Sequence, residues 1–158
     1  MSVPSVPSIN DAKGLDNEVE ERKILIKTSD GEELWINNSF IESSGLTKTA
    51  LNKDNNCKEL KLDFTYEILK HIISYVEKYK GNFPIYKKPL VNSLKNTINK
   101  WDFKYIDKDF NFLSNLINSS NYLDIEPLLD LSCMKVASLI KGKPLNEVKK
   151  ILKLNLQN

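Results

Sequence analysis

The sequence contains few of the residues that build disulfide, metal and nucleic-acid sites. Its 158 residues include two cysteines, Cys57 and Cys133, one histidine, His71, and one arginine, Arg22. Two cysteines are too few for a disulfide framework or a multi-cysteine zinc site, and one histidine cannot form a histidine-rich metal centre. The 22 lysines supply charge but not the planar fork with which arginine recognises phosphates and bases. We therefore predict neither a metal cofactor nor sequence-specific nucleic-acid binding.

Long apolar runs and a strong excess of charge are absent too. No stretch approaches the roughly 20 apolar residues that a membrane-spanning helix needs. The N-terminus, MSVPSVPSIN, lacks the basic and apolar regions of a secretory signal. Lysine and arginine number 23 against 21 acids, and 41 % of the residues are hydrophobic. These values predict a globular domain with no membrane partner, located in the cytoplasm and nucleus.

Motifs that carry catalysis are missing as well. The sequence has no phosphate loop of the G-x-x-x-x-G-K-[ST] or G-x-G-x-x-G type and no G-x-S-x-G nucleophile motif. His71 has no second ligand nearby, which favours a surface or partly buried structural histidine. Cys57 has no evident base to activate it, and Cys133, in an apolar helix, is typical of a packed small hydrophobe. The residues thus predict no catalytic site and no cofactor.

The first part of the chain predicts a tail followed by short strands. Residues 1–22 are polar and their charged residues are mostly acidic, so we expect them to be disordered. Apolar runs at 23–28 and 33–36 flank an Asp30-Gly31 turn, and this pattern is typical of a β-hairpin. Alternation of leucine with charged residues at 59–62 indicates a third strand.

Helical patterns lie between and after these strands. Residues 39–53 predict two short helices broken near Gly45, with Ser39 and Thr47 as N-caps. Apolar residues at three- and four-residue spacing predict a longer amphipathic helix at 65–79, capped by Asp63.

The second half begins with a lysine-rich segment and continues in helices. Residues 80–100 contain glycine and prolines and predict a linker or solvated crossover loop, with a basic patch for an acidic partner as the alternative. Asp109 and Asp124 are predicted N-caps of two further helices, and Pro127 suits the first turn of the second. Short strands followed by helices predict an α+β domain.

The C-terminal helices are unusually apolar for a chain end. Residues 125–156 are rich in leucine, isoleucine and valine, and little chain follows to cover them. They are either ordinary core or a groove that another protein completes, since contiguous exposed apolar patches usually mark partner sites. The residues alone favour neither interpretation.

Several motifs resemble those of one known family. The chain is similar to the Skp family, the S-phase kinase-associated adaptors of SCF ubiquitin ligases, over about residues 23–154, most loosely between 80 and 100. The most specific match is the NYLDI stretch followed by IKGK at the family's spacing. The motifs that carry the resemblance are SDGE at 29–32, Lys48-Thr49, Trp101-Asp102, NYLDI at 121–125, IKGK at 140–143 and Glu147-Val148-Lys149-Lys150.

The resemblance implies a fold and a role. It implies a BTB/POZ-type core at residues 23–121, a small sheet surrounded by helices with the loop at 80–100, and C-terminal partner-binding helices at 122–158. The role would be a non-catalytic bridge between a cullin and an F-box protein, which brings the substrate to be ubiquitylated. Such tethering raises the effective concentration of the substrate near the ligase.

The resemblance also implies two binding surfaces. Asn121 and Tyr122 match family positions that face the cullin, and the alternative for Tyr122 is a core residue that closes its helix. The F-box side is expected on the late helices, which agrees with their apolar character. The residues expected there are Leu113, Val136, Ile140, Leu152 and Leu154.

The sequence departs from the family in three places. It ends at Asn158, before the family's acidic segment and last helix, so either the F-box-binding helices are shortened or the sequence is a piece of a longer chain. The segment before Trp101 is basic here and usually acidic in the family. Leu145 stands where some members carry a modified proline, so we predict no such modification.

Two related functions remain as alternatives to the SCF adaptor. An adaptor of the elongin C type shares the core, although the IKGK stretch and the helix after it favour the Skp type. A non-ligase F-box scaffold, as in kinetochore assemblies, would keep the F-box side without needing the cullin side. An apolar groove without a partner also favours a homodimer of the free protein.

Overall fold

A three-stranded sheet and eight helices make up the described part of the chain. The computed structural model describes residues 21–153, and the prediction for residues 1–20 lies outside this range. The strands are β1 (Ile24–Lys27), β2 (Glu33–Ile36) and β3 (Glu59–Lys61). The helices are α1 (Asn38–Ser43), α2 (Gly45–Lys53), α3 (Tyr66–Tyr79), α4 (Leu94–Thr97), α5 (Lys100–Tyr105), α6 (Phe110–Leu123), α7 (Glu126–Ile140) and α8 (Leu145–Ile151). This mixed arrangement confirms the predicted α+β class.

The sheet has the order β2-β1-β3, with β1 antiparallel to β2 and parallel to β3. The hairpin turns where the sequence predicts it, because Gly31 adopts φ +84°, which a residue without a Cβ reaches at little cost. The hydroxyl of Thr28 donates to the Asp30 carboxylate over 2.6 Å and fixes the turn. The predicted third strand is confirmed at β3.

The two short helices after the hairpin are confirmed, but their caps differ from the prediction. Asn37 and Ser44 accept hydrogen bonds from the amides of the first turns of α1 and α2. Thr47 instead lies buried inside α2 and donates to the carbonyl of Ile41 over 2.9 Å. Several neighbouring residues have side chains able to cap, so local sequence alone does not identify which one does.

The longer helices follow the apolar periodicity, again with corrections at their ends. Thr65 rather than Asp63 caps α3, whereas Asp109 caps α6 as predicted. Asp124 does not cap α7; it ends α6 in the left-handed conformation, with φ +56°. Pro127 lies in the first turn of α7, where its missing N–H costs nothing.

The core lies where the sheet, α3, α6 and α7 meet. Its fully buried side chains come from one face of each element, as the helical and strand periodicities require. The largest include Ile24, Ile26, Ile36, Phe40, Leu69, Ile72, Tyr75, Leu113, Leu116 and Leu123. None of the helices in the range 21–153 is long and apolar enough to cross a bilayer.

A buried carboxylate anchors the crossover between α3 and α5. Asp102 is fully buried, and it accepts hydrogen bonds from the hydroxyls of Tyr79 and Tyr86 over 2.5 and 2.8 Å. The side-chain amide of Asn99 donates to it over 3.1 Å. Burial first, and then the hydrogen bond to Asp102, raises the pKa of Tyr79 to about 12, so this phenol stays protonated and can donate.

The crossover is also attached to α7. Lys88 donates to the Asp130 carboxylate over 2.8 Å, and the ammonium group of Lys141 donates to the carbonyl of Val91. Leu94 of α4 is buried in the core. The segment predicted as a linker or solvated loop is therefore an ordered crossover whose path is set by side-chain contacts, most of them distant in sequence.

Candidate partner-binding surfaces

Helix α7 has a second apolar stripe beside the face that it buries. Its core face carries Leu128 and Leu131, both fully buried. Leu129, Cys133, Val136 and Ile140 recur at spacings of four, three and four residues, which places them on one adjoining face. These side chains are half-buried or exposed. Val136 also packs against the core, so the stripe is only partly open.

Helix α8 extends this apolar surface. Gly142, at φ +72°, turns the chain between the two helices, and α8 then packs on α7. None of the residues of α8 is fully buried, and Leu145 is 67 % exposed. Val148 and Leu152 are half-buried. We name the stripe on α7 together with Leu145, Val148 and Leu152 the α7–α8 surface.

The structure separates the five residues predicted for the F-box side. Val136, Ile140 and Leu152 lie on the α7–α8 surface and are partly accessible. Leu113 is fully buried between α6 and the rest of the core, so its side chain is not on the surface of the free chain. Leu154 lies outside the described residues.

Four members of the α7–α8 surface are absent from the predicted F-box residues: Leu129, Cys133, Leu145 and Val148. The helical spacing of Leu129 and Cys133 to Val136 and Ile140 is the signal that could have identified the first two. The prediction that Cys133 packs as a small hydrophobe is wrong, because this side chain is exposed. Its helix face is apolar but only partly buried.

A second exposed aromatic lies at the end of α6. Tyr122 is 58 % exposed and Asn121 is exposed beside it, which excludes the alternative that Tyr122 is a core residue. The end of α6 is fixed by the junction of α1 and α2. The hydroxyl of Ser44 donates to the carbonyl of Leu123 over 2.6 Å, and the amide of Gly45 donates to the carbonyl of Asp124 over 3.1 Å.

Gly45 makes this close approach possible. A Cβ atom at this position would lie 1.9 Å from a carboxylate oxygen of Asp124, well inside van der Waals contact. The contact brings together two segments that are almost 80 residues apart in sequence. Asn121 and Tyr122 are therefore presented by a rigid helix end.

His71 has the structural role that the sequence favours. Its ring stacks on Tyr105 with 4.0 Å between ring centroids and meets the edge of Phe112. Its Nε2 atom is buried without a hydrogen-bond partner among the described residues. Burial, and secondly the charge of Lys108, lowers the pKa of His71 to about 4.

This environment predicts a loss of stability in mild acid. The unfolded chain protonates His71 near pH 6.5, whereas the folded chain does not until about pH 4. The free energy of unfolding should therefore fall as the pH drops from 7 to 5, because protons bind the unfolded state preferentially. Urea unfolding at several pH values measures this slope. His71→Phe keeps an aromatic ring against Tyr105 and should flatten the dependence of the free energy of unfolding on pH. Equal slopes in both proteins would show that His71 is not the group responsible.

Family models and curated relatives match this architecture. A model described as "Skp1 family, tetramerisation domain" matches residues 22–81, which contain the sheet and α1 to α3. A model described as "Skp1 family, dimerisation domain" matches residues 126–155, which contain α7 and α8.

Relatives align over most of the chain. An "E3 ubiquitin ligase complex SCF subunit sconC" of Arthroderma benhamiae is 36 % identical over 140 residues, 86 % of this chain and 84 % of the relative. An "S-phase kinase-associated protein 1 homolog" of Tetrahymena thermophila is 34 % identical over 132 residues, 81 % and 80 % of the two chains. A "Skp1-related protein" of Caenorhabditis elegans is 32 % identical over 158 residues, 94 % and 88 % of the two chains.

Proposed function

The chain belongs to the Skp1 family, and from this premise we propose that it is the adaptor subunit of an SCF-type ubiquitin ligase, joining a cullin to F-box proteins. The observation that carries the proposal is the α7–α8 surface, an apolar stripe whose side chains are half-buried or exposed within residues 21–153. The adaptor itself carries out no bond-making step. It acts by holding a substrate receptor and a ligase scaffold in one complex, which raises their effective concentration.

The α7–α8 surface is the proposed F-box side. Its apolar side chains recur along one helix face, an arrangement that suits an amphipathic helix or helix pair laid across it. Val136 and Ile140 lie toward the middle and end of the stripe, and both side chains are partly accessible to a partner. The fully buried Leu113 supports the packing of α6 and does not belong to the proposed contact surface.

Asn121 and Tyr122 are the proposed cullin side. A tyrosine ring offers apolar contact area at low conformational cost, and its hydroxyl can hydrogen-bond at the edge of an interface. The contacts of Ser44 and Gly45 with the end of α6 hold the tyrosine backbone in place before a partner arrives. This preorganisation reduces the ordering cost of binding.

Charge introduced at the end of α6 tests the proposal. Asn121→Lys combined with Tyr122→Lys should weaken binding to the cullin of the same organism about tenfold or more, since it removes an aromatic anchor and adds two charges. Binding to an F-box protein should change less than twofold. Isothermal titration calorimetry with purified partners measures both affinities.

Asn111→Lys is the matched control, because Asn111 is exposed in the first turn of the same helix. It lies roughly 15 Å from Asn121 along the axis and should leave both affinities unchanged. Binding of F-box proteins but of no cullin by the unmodified chain would indicate a non-ligase scaffold instead. Loss of both partners in the double variant would show that the pair is structural.

A further inference from the structure

The crossover between α3 and α5, residues 80–99, lies along one side of α7. Lys88 donates to the Asp130 carboxylate over 2.8 Å near the start of α7. Lys141, which follows the last residue of α7, donates to the carbonyl of Val91. Asp130 and Lys141 are eleven residues apart, about three helical turns, so the two attachments lie on one line along the helix. Helix α4, farther along the crossover, packs on α7 as well.

This line of attachment runs beside the apolar stripe of α7. Neighbouring residues of a helix are about 100° apart, and by this rule the line lies about 100° around the axis from the middle of the stripe. Cys133, on the near edge of the stripe, is affected by both partners of the first attachment. Burial and then the charge of Asp130 raise the pKa of its thiol, and the charge of Lys88 partly offsets the rise. Such charge effects fade within roughly 10 Å, so a partner on the stripe meets the crossover at its side.

Val91 places apolar area at this border. Its side chain is 73 % exposed, and its carbonyl is held by the residue that follows Ile140, at the end of the stripe. This backbone contact fixes Val91 before a partner arrives, which lowers the ordering cost of binding. Ile85 is exposed as well, at 96 %, but it precedes the buried Tyr86 and both attachments to α7. Of the two exposed residues, Val91 is therefore the one held at the end of the stripe.

The border is also positively charged. Residues 80–99 contain four lysines and no acid. The charge of Lys88 is offset by Asp130. Lys95 and Lys141 are exposed, and among the described residues no carboxylate forms an ion pair with either of them. The C-terminal end of α7 carries roughly half a negative charge, less than two ammonium groups supply. A carboxylate is therefore the complementary group for this border.

We propose, in an inference that rests on the proposed function, that the crossover forms one wall of the F-box side and selects F-box proteins whose docking helix carries acidic residues beside its apolar face. In the complex, the apolar face lies on the α7–α8 surface and reaches Val91. Carboxylates along its border approach Lys95 and Lys141. Complementary charge at the edge of an interface acts more on the choice of partner and on the rate of association than on affinity. The wall thus contributes to which F-box proteins bind.

A charge placed at Val91 tests the wall. Val91→Glu should weaken binding of the full chain to a labelled F-box domain of the same organism about tenfold or more, because it removes an apolar contact and adds a charge that repels the acidic border of the partner. Fluorescence anisotropy measures the affinity. Ile85→Glu is the matched control, since it makes the same kind of change at an exposed apolar residue of the same crossover. It should change the affinity less than twofold.

Removal of the two free charges tests the selection. Lys95→Gln combined with Lys141→Gln should weaken binding about three- to tenfold at roughly 50 mM salt and by less than twofold at about 500 mM, where surface charges are screened. Lys53→Gln combined with Lys61→Gln removes two exposed lysines elsewhere and should have no such effect. An F-box domain whose acidic border residues are changed to amides should bind both double variants with equal affinity.

Three results would overturn the proposal, and they differ in what they leave standing. F-box binding that is lost with Ile140→Glu but unaffected by Val91→Glu and by the Lys95 and Lys141 variant would exclude the wall and keep the proposed function. A chain that binds no F-box domain at all would exclude both. A Val91 methyl resonance that shifts without any F-box domain, on removal of residues 1–20 or on dilution, would assign the wall to that segment or to a second copy.

Discussion

Replacing Asp102 by alanine is expected to lower the free energy of unfolding by about 3–5 kcal/mol, the range typical of a broken buried polar network. The carboxylate is fully buried and binds three donors, from Tyr79, Tyr86 and Asn99. Its removal leaves these donors without their acceptor, and among them the hydroxyl of Tyr86 belongs to a buried residue. The network also joins the end of α3 to the crossover. Its removal should therefore weaken the packing of α3 and of the crossover as well.

Urea unfolding followed by circular dichroism measures this change. Asp63→Ala is the matched control, because Asp63 is an exposed aspartate just before α3 and does not cap it. Its effect should lie within about 0.5 kcal/mol, as for most surface substitutions. Tyr86→Phe removes a single hydrogen bond and should cost about 1–2 kcal/mol. A loss below about 1 kcal/mol for Asp102→Ala would show that the network contributes little.

The second large effect is expected at the α7–α8 surface. Ile140→Glu should weaken binding to F-box proteins at least about 100-fold, since the complex would bury a carboxylate without a partner among apolar side chains. The fold should be retained, because Ile140 is only half-buried and lies outside the core. Fluorescence anisotropy with a labelled F-box domain measures the affinity.

Two controls isolate the effect of Ile140→Glu. Lys143→Glu also adds negative charge close by, but at an exposed turn, and should change the affinity less than about threefold. Cullin binding by Ile140→Glu itself should match that of the unmodified chain. If Ile140→Glu retains F-box affinity within threefold, the proposed F-box side is wrong.

Local signals explain which parts of the fold were predictable. Asp30-Gly31 between two apolar runs determines the hairpin, and apolar spacing determines α3, so both follow from neighbouring residues. Helix caps were less predictable where several capping side chains compete, as around Asn37 and Ser39. The Asp102 network joins residues more than 20 positions apart, and no short pattern indicates such a contact.

The residues of the candidate surfaces, too, could be predicted only as far as they depend on local sequence. Helical spacing groups apolar residues into faces, but it does not say which face the core takes. Leu113 is predicted at a partner surface and lies in the core, whereas Cys133 is predicted to pack as a small hydrophobe and is exposed. The choice depends on how α6 and α7 pack together, which is a tertiary property. The exposure of Tyr122 likewise follows from where α6 ends against the junction of α1 and α2.

The attachments of the crossover differ in how they respond to ionic strength. Asp102 is bound by two phenols and an amide, and no lysine or arginine of the described range forms an ion pair with it. Dissolved ions do not screen hydrogen bonds from neutral donors in a buried site. They do screen the exposed ion pair between Lys88 and Asp130. Concentrated salt should thus weaken the contact of Lys88 with Asp130 beside α7, while the hydrogen bond at Tyr86 and the buried Leu94 still hold the crossover. The crossover is therefore held by buried hydrogen bonds that do not depend on ionic strength and by one exposed ion pair that does.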